Sequence, residues 1–178
     1  MHYIKSLGAL LLLSIALSGH THAIDFGGLK DKAAATTESA DGSQLMTIGK
    51  TLYSAFAGNE TATKYAKGMI GSLQSGKYSK VFDYYDKIKG ANLSMDQLTS
   101  WNGIKNTVSA FVLKQGITSD DSTTDALIGK ATDALEDNNT SEASSYLSKL
   151  KSLGTLAKSD TSLLSKIQAN VLPLVMGK

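Results

Sequence analysis

The chain reads as all-α, a compact bundle or short array of six to seven amphipathic helices, and three observations point there. Apolar residues recur at spacings of three and four through most of the sequence, the period of one buried helix face. Gly, Asn and Ser-Gly breaks separate these stretches at short intervals, where helices stop and the next are capped. Nowhere does a convincing run alternate apolar and polar residues as a half-buried strand would.

The helices follow in order. Leu45, Ile48, Leu52 and Phe56 share a face, and Gly58-Asn59 stops that helix, with Asn59 free to cap the next. The second places Tyr65, Ala66, Met69, Ile70 and Leu73 on one side and breaks at Ser75-Gly76. A third turns Tyr78, Val81, Phe82, Tyr85 and Ile88 inward and Lys80, Asp83 and Lys87 outward, ending at Gly90. Ser94-Met-Asp-Gln97 is a capping box, in which Ser94 and Gln97 satisfy each other's free N–H groups. It opens the longest stripe, Leu98, Trp101, Ile104, Val108, Phe111 and Val112, with Gly116 suited to the position after the helix. Ser119 to Asp121 caps a helix carrying Leu127, Ile128, Ala131 and Leu135, and Asp137 to Thr140 forms a turn. Ser141 to Leu153 is the sixth helix, with Ala143, Tyr146, Leu147, Leu150 and Leu153 on its face, ending near Gly154. Asp160 starts the last, with Leu163, Leu164, Ile167, Val171 and Leu172, and Pro173 lies beyond it.

The chain also resembles itself at a spacing of about 62 residues. Leu73 falls on Leu135, Tyr84 on Tyr146, Lys87 on Lys149, Ile88 on Leu150 and Lys89 on Lys151. One residue of slippage then sets Trp101 on Leu164, Ile104 on Ile167, Val108 on Val171, Phe111 on Leu174 and Val112 on Val175. Two pseudo-repeats stacked as a bundle or short array would read this way. So would two unrelated amphipathic series of similar length, and the sequence leaves both open. Leu73-Gln-Ser-Gly76-Lys-Tyr78-Ser-Lys-Val81 resembles the start of the second helix of a tetratricopeptide repeat, where Gly permits the turn and Tyr packs inward. The likeness covers about ten residues, and the spacing near 62 departs from the roughly 34 of that family. It implies helix-hairpin packing of that general kind.

Residues 1–23 read as a signal peptide. Lys5 gives the positive start, Leu7 to Leu17 the apolar centre, and Thr21-His22-Ala23 small residues at the two positions, Thr21 and Ala23, that precede cleavage. The apolar run is about half the roughly 20 residues that span a bilayer. Residues 24–42 form a weakly ordered segment, and residues 43–178 a single helical domain. The expected location is the periplasm or the medium, by bacterial export, with no stable membrane insertion after cleavage. The chain has no cysteine, which suits a bacterial envelope protein of this size.

All three histidines (His2, His20, His22) lie inside the leader, and the chain has no arginine. Residues 24–178 therefore lack His, Cys and Arg together. That excludes Ser–His and Cys–His catalysis and the usual zinc sites. The common haem, iron–sulfur and copper ligands are missing as well. No phosphate-cradling glycine loop is present. Net charge is +2, with lysines and acids interspersed, so nucleic acid is not an expected partner.

Carboxylates remain. Asp120, Asp121 and Asp125 cluster, as do Asp133, Glu136 and Asp137, in neither case with the order of a calcium loop. They read as helix-end charges. Tyr78, Phe82, Tyr85 and Trp101 read as core, whereas Tyr84 points away from its helix's apolar face and is, with Tyr146, the candidate contact pair. No catalytic, cofactor-binding or metal residue is assigned. The resulting expectation is a non-enzymatic binding or scaffold protein of the envelope whose partner is another envelope protein. The alternatives are a carboxylate-based envelope hydrolase and a carrier of a hydrophobic ligand in an interhelical groove.

Overall fold

A computed structural model describes residues 40–171. Seven helices account for most of them: α1 (Ala40–Ala55), α2 (Glu60–Gln74), α3 (Tyr78–Lys89), α4 (Met95–Gly116), α5 (Ser122–Glu136), α6 (Thr140–Ser152) and α7 (Lys158–Val171). No strand occurs among the described residues. Residues 1–39, with the expected signal peptide, and the positions from Leu172 onward, with Pro173 and the alignments to Leu174 and Val175, lie outside them.

The helix ends follow from local chemistry. Asn59 Oδ1 accepts from the Ala62 N–H at 3.0 Å, and an Asp121 carboxylate oxygen accepts from the Thr124 N–H at 2.9 Å. The capping box is formed in both directions, each bond 3.2 Å. Four boundaries differ from the sequence reading. Helix α6 runs Thr140–Ser152 rather than Ser141 to Leu153, because Asn139 caps it and accepts from the Glu142 N–H. Ala40, Asp41 and Gly42, expected outside the helical domain, belong to α1; Asp41 sits in the first turn, where a negative charge meets the free N–H groups, and pairs with Lys114 at 3.8 Å. Helix α7 begins at Lys158 rather than Asp160, because the Ala157 carbonyl already accepts from the N–H groups of Asp160 and Thr161. Gly116 is the last helical residue of α4 and needs no special φ; a Cβ there would lie 2.7 Å from Leu163 and 3.0 Å from Tyr78, so its bareness lets α3 and α7 close on α4.

Helix α4 is the hub. It packs on α1, α3, α5 and α7, while α2 pairs with α3 and α5 with α6. This explains why its burial exceeds one stripe. Besides Trp101, Ile104, Val108, Phe111 and Val112, it buries Lys105, Asn106, Ser109, Ala110 and Leu113, as a helix surrounded on several sides must. Phe56, Trp101, Tyr85 and Phe82 form a chain of tilted and edge-on ring contacts with centres 5.0–6.0 Å apart. These are favourable aromatic geometries and join α3, α4 and the turn that follows α1.

The repeat is present in three dimensions. Helix α5 starts and ends 62 residues after α2. The six buried positions of α2, namely Ala62, Ala66, Met69, Ile70, Ser72 and Leu73, map one for one onto the six of α5. Val81, Tyr85 and Ile88 of α3 map likewise onto Ala143, Leu147 and Leu150 of α6. The turns match bond for bond. Ser75, Gly76 and Lys77 donate to Gly71, Leu73 and Ser72, and Asp137, Asn138 and Asn139 donate to Asp133, Leu135 and Ala134. The pivot of each is left-handed, Gly76 with φ 66° and Asn138 with φ 57°, the two residue types that tolerate this region most readily. After one inserted residue, Trp101, Ile104 and Val108 correspond to Leu164, Ile167 and Val171, all buried.

Candidate functional site

The pair Tyr84 and Tyr146 occupies equivalent places on α3 and α6. In each, a lysine one turn on covers the ring: Lys87 Nζ lies 5.1 Å from the centre of Tyr84, and Lys149 Nζ 5.2 Å from that of Tyr146. The ring quadrupole attracts the ammonium. Tyr84 does not point away as its spacing predicts. It is half-buried against the core and lies over Gly68 of α2, where a Cβ would fall 2.5 Å from the ring. Lys130 stands at the position equivalent to Gly68, and its ammonium lies 5.9 Å from the Tyr146 ring. The Tyr146 hydroxyl donates to Glu142 Oε1 at 3.0 Å, which raises its pKa. Both rings are thus partnered within the chain.

The polar interior is the part the sequence hides. The Tyr85 hydroxyl donates to the Lys105 carbonyl at 2.8 Å and shares a hydrogen bond with Ser109 Oγ at 3.1 Å. Burial raises the Tyr85 pKa well above the usual phenol range. Lys105 is 7 % exposed. Its pKa is lowered, first by desolvation and then by Lys89. Asn106 Nδ2 donates to Asn138 Oδ1 at 3.0 Å, fastening α4 to the α5–α6 turn. Asn102 Oδ1, Asn106 Oδ1 and Thr132 Oγ1 are buried without a partner. Helical spacing ranks residues by apolarity, so polar groups buried on a hub helix escape it. Their only trace is position: Lys105 and Ser109 are spaced by one turn beside a buried stripe.

Two of the clustered acids, Asp121 and Glu136, make bonds that hold the fold. Asp121 caps α5, and bonds from the Thr124 hydroxyl (2.7 Å) and N–H hold its pKa below the usual value. Glu136 Oε1 accepts from Gln44 Nε2 at 3.0 Å, tying α5 to α1. Among the described residues no group of three acids is arranged to hold a metal ion, and no helix is long and apolar enough to cross a membrane.

The fold and site define a class, a helical array of two equivalent hairpins on a central helix. No family model, curated protein or solved structure matches this chain.

Proposed function

We propose that this chain is an exported helical scaffold of the bacterial envelope that binds a protein partner and performs no chemistry of its own. One observation carries the reading. Two hairpins of the same backbone, α2–α3 and α5–α6, are set on α4 and turn differently charged surfaces outward. Stacked helical units recur in proteins that bind extended partners along their surface. The absence of His, Cys and Arg after residue 23 supports it from the side of chemistry, and the leader pattern of residues 1–23 supports export.

The test has two arms in a bacterial host. Intact mass of the released protein should correspond to a chain beginning at Ile24; retention of residues 1–23 defeats the export half. Photo-crosslinking amino acids placed singly at exposed positions of α3 and α6 should give one discrete protein adduct confined to a contiguous set of positions. Adducts at no position, or equally at all, defeat the binding half.

A further inference from the structure

The two hairpins have the same backbone and opposite charge. Residues 59–91 carry six lysines and three acids, and the equivalent residues 121–153 carry three lysines and six acids. Every one of these side chains is exposed. Among the described residues none of them enters an ion pair, the one found being Lys114 with Asp41.

The contrast is sharpest at the tips. From Gly71 to Lys80 there are two lysines, Lys77 and Lys80, and no acid. Lys166 of α7 adds a third ammonium, donating to the Ser79 carbonyl at 3.1 Å. The equivalent stretch from Asp133 to Glu142 holds Asp133, Glu136, Asp137 and Glu142 and no lysine. At matching positions, Lys80 becomes Glu142. Because the turn hydrogen bonds are conserved between the tips, charge is inverted on a shared shape.

We infer that the occupant of these tips is a second copy of this chain, the basic α2–α3 tip of one copy meeting the acidic α5–α6 tip of the next. Complementary potentials of this kind steer association and fix register. The two patches are different surfaces, so the contact is head-to-tail and propagates as a ring or an open chain. None of the charges that make it is neutralised by an ion pair among the described residues, and Lys77, Lys80, Asp133 and Asp137 are exposed at the tips.

Sedimentation of the purified full chain tests this. At about 20 mM salt the mean mass should rise above one chain with concentration, and at about 0.5 M salt the association constant should fall at least about tenfold, because exposed charges are screened. Lys77→Glu with Lys80→Glu, and separately Asp133→Lys with Asp137→Lys, should each give single chains. An equimolar mixture of the two variants should associate again, since each supplies the tip the other lacks. None of these four side chains makes a hydrogen bond or ion pair that holds the fold. The neutral versions, Lys77→Gln with Lys80→Gln and Asp133→Asn with Asp137→Asn, weaken association without repulsion and serve if a swapped variant loses helix content. A wild-type chain that stays single at all concentrations in low salt overturns the inference. So does association that either swap leaves intact, or a mixture that fails to recover it.

Discussion

The hydroxyl of Tyr85 on α3 donates to the main-chain carbonyl of Lys105 on α4 at 2.8 Å. Ser109 Oγ meets the same hydroxyl, and the edge of Trp101 packs on the ring with centres 5.0 Å apart. One phenol therefore closes the polar groups in the α3–α4 interface. Tyr85→Phe keeps the ring contacts but leaves Ser109 without this partner, and should cost about 1–2 kcal/mol in urea unfolding. The pH dependence has a fixed sign. The folded-state pKa is raised above 10.0, so the folded chain keeps a proton that the unfolded chain releases. The stability from this group is complete below the unfolded value and falls as pH rises past it. Tyr85→Phe should flatten that decline above about pH 10; an unchanged slope would sink the assignment.

Lys105 acts in the opposite sense. Its folded pKa is lowered from 10.5 by burial and by Lys89, so below that value the folded state carries a charge it holds poorly. The penalty is relieved as pH climbs from the lowered pKa toward 10.5, where the unfolded chain binds more protons than the folded one. Lys105→Met keeps most of the stem and removes the ammonium. It should raise stability near neutral pH by of order 1 kcal/mol, and the gain over wild type should shrink toward pH 10. A Lys105→Met protein less stable than wild type at pH 7 would show that the ammonium is well satisfied.

How much of this was legible in sequence depends on which force was at work. The helix count, the caps at Asn59, Asp121 and Ser94, and the inward faces of α2, α3 and α6 follow from periodicity and capping chemistry, both local. The 62-residue correspondence was visible in Tyr84 and Tyr146 with their lysines, but apolar matches alone could not separate it from coincidence; equivalent turn bonds around Gly76 and Asn138 do. The orientation of Tyr84 was not legible, because it depends on Gly68 from another helix. Nor was the burial of Lys105, Asn106 and Ser109, since the hub role of α4 is a tertiary fact. The charge contrast between the tips lay in the sequence throughout, and acquired meaning only when the two turns proved to share one backbone.

The Tyr84–Gly68 contact predicts a coupling. Gly68→Ala alone gains helix propensity worth about 1 kcal/mol, but its Cβ would lie 2.5 Å from the Tyr84 ring and must push that ring outward. The two effects should nearly cancel. In a Tyr84→Ala background the obstruction is gone, and the same Gly68→Ala change should stabilise by about 1 kcal/mol. Equal effects in both backgrounds would mean that the ring does not rest on α2.

The turn pivots give the last prediction, and it uses the repeat as its own control. Gly76 has φ 66°, and its counterpart Asn138 holds φ 57° while accepting the Asn106 amide. A Cβ at Gly76 would meet nothing within 4 Å, so any cost of substitution comes from the backbone alone. Gly76→Ala should therefore destabilise by about 1 kcal/mol, the strain of a left-handed alanine. Gly76→Asn should cost less than half as much, because asparagine tolerates this region and already does so 62 residues later. Asn138→Gly relaxes the same strain but removes the bond to α4, and a lost buried partner costs about 1–3 kcal/mol, so it should destabilise despite the freer backbone. Thermal unfolding of the three variants ranks them. If Gly76→Asn proved as costly as Gly76→Ala, the two turns would not be interchangeable, and the structural equivalence of the hairpins would stop at their helices.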